Sequence, residues 1–242
     1  MTLHYIYHSG FAIETDHVTV IIDYYKDSSS KNPNEGIVHH KLLKKGGEIY
    51  VLSSHFHPDH FNRDILSWKA EHPNIHYILS KDILKHRRAS KEDGVYINKG
   101  EVYEDENIRI EAFGSTDSGI SFLINLQGMR LFHAGDLNNW HWDEESTPEE
   151  IRKAESDFLA ELKYLKQTAP QIDVAMFPVD RRLGKNYMRG AEQFIDAIAT
   201  GTFVPMHFSE DYEGGNRFKE TALKKGCRFI SITHRGESFD IY

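Results

Sequence analysis

The chain has one cysteine, Cys227, among 242 residues. No disulfide can form within it, so it suits a reducing compartment, and the lone thiol reads as a small core residue. Cations are also scarce: 29 Lys and Arg stand against 37 Asp and Glu, a net charge of -8. Nucleic acid is recognised by clustered cations that release counterions, so no nucleic-acid partner is expected. No apolar run reaches the roughly 18 residues that a membrane helix needs, and Met1-Thr2-Leu3-His4-Tyr5-Ile6 lacks the basic and long apolar regions of a signal peptide. A cytoplasmic protein with no membrane partner is the expectation. Prolines number only seven, and no Pro/Ser/Gly-rich linker divides the chain. Residues 1–242 are therefore expected to form a single domain around one core.

Histidine, by contrast, is plentiful, with 15 in the chain. It concentrates in Ser54-His55-Phe56-His57-Pro58-Asp59-His60, an H-x-H-x-D-H pattern. The residues before it, Glu48-Ile49-Tyr50-Val51-Leu52-Ser53, read as an apolar strand, and residues 61–68 carry apolar side chains at helical spacing. The motif thus lies on a strand-to-helix loop. In an extended segment His55 and His57 project to the same side and can bind one cation, while Asp59 and His60 turn toward a second. A polar surface loop is the alternative, but imidazoles crowded beside a carboxylate have little reason to converge without a cation.

Around this loop the pattern is α/β. Residues 3–7, 11–15 and 18–23 read as an antiparallel meander. Residues 24–35 form an irregular loop, read as a solvated connection with a lid as the alternative. A helix over 37–45 ends at Gly46-Gly47. Beyond the motif come a strand at 75–79, a helix from a Ser80 cap through Arg88, and strands at 94–97 and 107–113. A hairpin follows at 120–126 and 129–133, turned at Gln127-Gly128. The longest helix is expected at 148–167, where Thr147, Pro148 and Glu150 make a capping box. Then follow a strand at 172–177, a helix at 189–199, a strand at 202–205, a helix at 216–225 stopped by Gly226, and closing strands at 227–233 and 238–242.

Two later strands also end in metal-binding residue types. Phe132-His133-Ala134-Gly135-Asp136 and Pro205-Met206-His207-Phe208 place a carboxylate and an imidazole where α/β folds build sites. Either alone reads equally well as a turn aspartate or a hydrogen-bonded histidine.

Together these segments resemble the metallo-β-lactamase superfamily over nearly the whole chain. The likeness rests on the meander, His-Phe-His-Pro-Asp-His after a strand, Gly-Asp at 135–136 and the final His207. It implies an α/β (α+β) fold, a four-layer αβ/βα sandwich of two mixed sheets with helices outside. It further implies that His55 and His57 bind a first metal, that Asp59, His60 and His207 bind a second, and that Asp136 bridges them. His8-Ser9-Gly10-Phe11 and Pro205-Met206-His207 are most similar to the branch containing L-ascorbate-6-phosphate lactonase. One departure stands out. Where the family often has Gly-His-Thr-Pro-Gly, this chain has Gly114-Ser115-Thr116-Asp117-Ser118, which puts Ser115 at the position of a metal histidine. A neutral hydroxyl is a poor zinc ligand. His133 is the preferred substitute, with His141 and Asp117 behind it, and a mononuclear site is the alternative.

Imidazoles and carboxylates without thiolate suit Zn(II), as one or two ions, or else Mn(II) or Fe(II). Such metals lower the pKa of coordinated water from about 15.7 toward about 7 and so make hydroxide available to attack a carbonyl or phosphoryl centre. The expected function is hydrolysis of a small, anionic molecule such as a lactone, ester or phosphoester, with Asp59 orienting the nucleophile and moving a proton. The competing expectation is a degenerate site that binds metal or ligand without turnover. Trp140 and His141, among Asn138, Asn139 and Trp142, could wall the substrate or simply pack the helix at 148–167. Arg181, with Arg182 and Lys185, could clamp an anion or form a solvated basic loop.

Overall fold

The computed structural model describes residues 1–242, the side chain of Pro33 excepted. The strands in chain order are β1 (Thr2–Tyr7), β2 (Gly10–Glu14), β3 (Val18–Ile22), β4 (Glu48–Ser53), β5 (Ile75–Ser80), β6 (Val95–Ile97), β7 (Val102–Glu104), β8 (Arg109–Phe113), β9 (Ser121–Leu126), β10 (Met129–His133), β11 (Gln171–Pro178), β12 (Ala199–Met206), β13 (Arg228–Phe229) and β14 (Ser238–Asp240). The α-helices are α1 (Lys81–Lys85), α2 (Pro148–Thr168), α3 (Arg189–Ala197), α4 (Tyr212–Asn216) and α5 (Lys219–Lys224). Contacts divide the chain into two compact units, Met1–Asn98 with Thr233–Tyr242, and Lys99–Ile232. Each unit holds one seven-stranded mixed sheet. The α/β class expected from the sequence is the one observed.

In the first unit the sheet order is β14-β1-β2-β3-β4-β5-β6. The meander β1-β2-β3 is antiparallel, and β3 through β6 run parallel. All five residues of β3 are buried, as are five of the six in β4, because strands covered on both faces read as continuous apolar runs. Ile6, Val51, Phe61, Trp68, Leu79 and Ile83 belong to one buried cluster against this sheet. Three local expectations are corrected here. The stretch at 37–45 contains only a single π-type turn, Val38–Leu42, closed by Leu43 N–H to the Val38 carbonyl at 2.9 Å. The helical stretch after the metal loop is a 3₁₀ helix, Arg63–Ala70, which buries Ile65 and Trp68 three apart, where 3₁₀ side chains eclipse. Helix α1 stops short of Arg88, since Arg87 adopts φ +56°, a left-handed conformation no helix continues through.

In the second unit the order is β13-β12-β11-β10-β9-β8-β7. Strands β7 to β10 pair antiparallel, and β10 to β13 parallel. The β9–β10 turn puts Gln127 at φ +49° and Gly128 at +81°, the pair of left-handed residues that a tight hairpin needs. Helix α2 begins as expected: Thr147 Oγ1 accepts from Glu150 N–H at 3.3 Å, and the Glu150 carboxylate accepts from Thr147 N–H at 2.8 Å. Its inward face is Phe158, Leu162 and Leu165. Phe177 lies 4.6 Å from Phe194 and 6.2 Å from both Phe158 and Phe203, so aromatic rings tie β11 and β12 to α2 and α3. The expected helix at 216–225 is the shorter α5, preceded by the unanticipated α4, and the closing strand at 227–233 is only Arg228–Phe229. Strand β7 was not anticipated, being three residues long with Val102 exposed on the sheet edge. Cys227 is buried, which pushes its thiol up to about 11 and leaves it inert. Among the described residues no helix is long and apolar enough to cross a membrane.

Candidate metal centre

In the first unit candidate ligands gather at the C-terminal ends of β3 and β4. These strands are parallel neighbours, so the residue after β3, Asp23, stands beside the loop after β4. Asp23 is fully buried at φ +48°. It accepts from Ser54 N–H at 2.7 Å and from the Ser54 hydroxyl at 2.7 Å, and its Oδ2 lies 2.7 Å from His60 Nδ1. Ser54 Oγ is also 3.0 Å from His55 Nδ1. With its proton given to Asp23, the Ser54 hydroxyl accepts from His55, while Asp23 accepts from His60. Both imidazoles then carry their lone pair on Nε2, the tautomer a metal ligand requires.

The His55 and His57 rings are 4.7 Å apart, and each offers a nitrogen within 4.8 Å of the other's. Asp59 and His60 are joined by a residue the sequence reading did not assign, His8, in the β1–β2 turn at φ +59°. Its Nε2 lies 3.4 Å from Asp59 Oδ2, and one ligand atom from each of His8, Asp59 and His60 falls within a 4.8 Å group. Burial pushes the Asp59 carboxyl up, but the hydrogen bond from His8 and the charges of His60 and His8 outweigh it and hold the acid well below the usual carboxylate range.

In the second unit candidate ligands follow three parallel strand ends. Asp136 follows β10 through Ala134 and Gly135, Asp180 follows β11, and His207 follows β12. Asp136 and His207 are both buried, with His207 Nε2 3.3 Å from Asp136 Oδ1. The other ring nitrogen, Nδ1, is 2.9 Å from Asp180 Oδ2. Arg182 Nε donates to both Asp180 oxygens at 2.9 Å. Burial raises the Asp180 carboxyl, and the hydrogen bonds from His207 and Arg182 more than reverse that, so it stays ionised. The sequence reading missed Asp180, although it follows its strand as Asp136 and His207 follow theirs.

The residues proposed to replace the histidine missing at 115 are placed differently from one another. Thr116 Oγ1 donates to the Asn138 carbonyl at 2.6 Å and accepts from Asn138 N–H at 3.0 Å, which pins loop 114–118 to the loop after β10. Asp117 thereby offers a carboxylate oxygen within 4.8 Å of one on Asp136. Ser115 Oγ accepts from Asp117 N–H at 3.4 Å. His133 is buried and its Nδ1 accepts from Gly135 N–H at 3.2 Å, inside the turn that presents Asp136. His141 is buried as well, with Nδ1 2.9 Å from the Asn139 carbonyl and Nε2 3.6 Å from Asp143. Trp140 donates to the Asp136 carbonyl at 2.8 Å and sets its ring edge-on to His207 at 5.4 Å. Arg181 is 3.1 Å from Asp211, so the two arginines of the expected anion clamp each face a carboxylate.

These side chains fit a divalent cation. The donors are imidazoles and carboxylates, a set that takes Zn(II), Mn(II) or Fe(II). In each unit a buried aspartate, Asp23 or Asp180, holds the back nitrogen of a histidine, the second layer of bonding that metal-ligating histidines use.

Residues 2–152 match the model of the beta-lactamase superfamily domain. The chain belongs to that family. The resemblance to the metallo-β-lactamase superfamily is thus met, though not that to its lactonase-containing branch, and the family carries the metallo-hydrolase fold in a predominantly enzymatic superfamily. Among solved structures, a metallo hydrolase from the archaeon Ignicoccus hospitalis is 18% identical with a TM-score of 0.66, covering 100% of this chain and 99% of its own. The metallo-beta-lactamase fold protein YhfI from Bacillus subtilis is 10% identical at 0.64, covering 98% of each. The diiron beta-hydroxylase CmlA from Streptomyces venezuelae is 13% identical at 0.67, over 98% of this chain and 53% of its own. At these identities the likeness is one of fold. No curated protein matches the sequence.

Proposed function

We propose that the protein is a divalent-metal-dependent hydrolase of a small anionic substrate, with residues 1–242 working as one cytoplasmic domain. The observation that carries this reading is the pair of buried carboxylates, Asp23 and Asp180, that preset the His60 and His207 imidazoles. Asp27 backs His39 in the same way, but His60 and His207 also turn the opposite ring nitrogen toward a second carboxylate, Asp59 at 3.9 Å and Asp136 at 3.3 Å, the arrangement of a metal-ligating histidine.

In this reading His55, His57, Asp59 and His60 of the first unit, with His8 supporting Asp59, and Asp117, Asp136 and His207 of the second are the residues that would hold divalent cations. A carboxylate at 117 in place of an imidazole makes the donor set harder, which favours Mn(II) or Fe(II) beside the default of Zn(II). A divalent cation in such a set supplies Lewis acidity and makes water acidic enough to deprotonate near neutral pH. The chain's own contribution is orientation and proton handling. Asp59, held ionised, orients the attacking water and passes its proton on, a carboxylate this acidic being too weak a base to keep it. Asp23 and Asp180 fix the imidazole tautomers, and Trp140 walls the substrate side with its ring against His207. His141 and Arg181 remain proposed substrate contacts, Arg181 sharing the wall of a cavity of about 140 Å³ with His207 and Asp180.

Lactones, esters and phosphoesters are the substrate classes, and the similarity of His8–Phe11 to the lactonase-containing branch makes phosphorylated lactones the first to try. No nucleic-acid partner is proposed, the chain's net charge being -8. The test is metal analysis of the purified protein together with a substrate panel, run beside Asp59→Ala. Bound metal and turnover that disappears in the folded variant support the reading. Bound metal with no turnover across the panel favours the degenerate binder.

A further inference from the structure

We infer that the first unit carries an anion-binding pocket, built on Lys26 and Arg235, that takes the phosphate or carboxylate end of a small molecule. The loop at 24–35, read from sequence as a plain connection, borders a cavity of about 450 Å³ whose walls include Tyr24, Tyr25, Lys26, Asn34, Asn62 and Arg235. That volume lies in the range of small-ligand sites.

The two cations are held by rings. Tyr7 and Tyr25 stack at 5.9 Å, Arg235 Cζ sits 3.6 Å from the Tyr7 ring centre, and Lys26 Nζ sits 4.5 Å from that of Tyr25 and 6.0 Å from that of Tyr7. Among the described residues no carboxylate pairs with Lys26. Ring faces position a cation without neutralising it, so Lys26 keeps its charge for a ligand. One acid in the wall, Asp27, is spent internally. It accepts from the N–H groups of Ser28, Val38 and His39 at 2.7, 3.1 and 3.0 Å and lies 2.7 Å from His39 Nδ1. Asp64 is the other acid in the wall, and it can accept from a ligand hydroxyl while the cations take the anionic end.

Backbone geometry ties this pocket to the metal loop. Asn62, two residues after His60, donates its N–H to the Tyr24 carbonyl at 3.1 Å and its side-chain amide to the Tyr25 carbonyl at 2.9 Å. At the other end of the platform Tyr7 directly precedes His8. Asn62 and Tyr7 thus join the pocket to the loops that carry His60 and His8. That the anion belongs to the substrate rests on the function proposed above, whereas its binding in the pocket does not require metal.

The experiment is calorimetric titration of the metal-stripped, dialysed full chain with inorganic phosphate and with glycerol 3-phosphate. Saturable binding near one equivalent is expected, weakened about tenfold or more by Lys26→Ala and by Arg235→Ala. Lys185→Ala, which alters the basic loop after β11, is expected to change nothing. Should Arg235→Ala fail to fold by circular dichroism, Arg235→Lys and Lys26→Gln carry the test. Absence of saturable heat, affinity unmoved by both pocket variants, or an equal loss in Lys185→Ala overturns the pocket. Metal content, measured separately on untreated protein, reports on the catalytic reading alone.

Discussion

A single oxygen of Asp23 lies 2.7 Å from both the Ser54 hydroxyl and His60 Nδ1. This buried carboxylate sets the orientation of a histidine 37 positions away. Asp23→Asn keeps the shape but replaces an oxygen acceptor with an amide, so His60 loses its fixed tautomer. The variant is expected to bind Zn(II) 10- to 100-fold more weakly, on the order of other losses of a histidine's carboxylate partner. Competition against a chromophoric chelator measures it, and unchanged affinity would remove Asp23 from the account.

Asp180→Asn is the matching test on the second unit. His207 loses the acceptor at its Nδ1, and Arg182 loses its bidentate partner. Metal affinity is expected to fall by a similar factor, on the order of 10- to 100-fold. If instead the variant bound metal normally but unfolded more readily, Asp180 would be serving stability alone.

Much of this was legible beforehand. The H-x-H-x-D-H loop, the carboxylate after β10 and the imidazole after β12 are local signals, each readable from a strand and the few residues behind it. The α2 cap at Thr147 and Glu150 and the hairpin at Gln127-Gly128 are equally local. Asp23 and Asp180 escaped notice because their role comes from parallel strands lying side by side, which the residues around them do not record. His8 escaped for a similar reason: its partner is Asp59, 51 positions on, and nothing in a Tyr-His-Ser-Gly turn marks a donor. The 3₁₀ helix at Arg63–Ala70 has its apolar residues where an α-helix would also have them.

The choice between Asp117 and His133 can be made by counting metal. Asp117→Ala is expected to lower the metal content by up to one equivalent, while His133→Gln leaves it in place because His133 binds within its own turn. Inductively coupled plasma mass spectrometry on both variants decides it. The reverse pattern would restore the histidine.

Acid stability offers a test remote from the site. Burial raises the Glu14 carboxyl, but hydrogen bonds from Lys41, Lys45 and His4 bring it down to about 2 from an ordinary 4.5. Its folded pKa is depressed, so the stabilisation is fully present above about pH 4.5 and is lost as pH falls through about 2. Glu14→Gln is expected to destabilise by about 1 kcal/mol at pH 7, the scale of a partly exposed ion pair. Thermal melts across pH should show that gap closing as the pH falls below 4.5. A gap that persists near pH 2 would contradict the assignment.

At the start of α2, Thr147→Ala removes one half of the capping box. The expected cost is about 1 kcal/mol with catalysis unaffected, read from urea denaturation beside an activity assay.

The most direct measurement is anomalous diffraction at the absorption edge of whichever metal the purified protein carries. The account predicts peaks with imidazole nitrogens and carboxylate oxygens of His55, His57, Asp59, His60, Asp136 and His207 at roughly 2.0–2.2 Å. Metal-loaded crystals with no peak at those residues, or with a peak touched by the 55–60 loop alone, would contradict it.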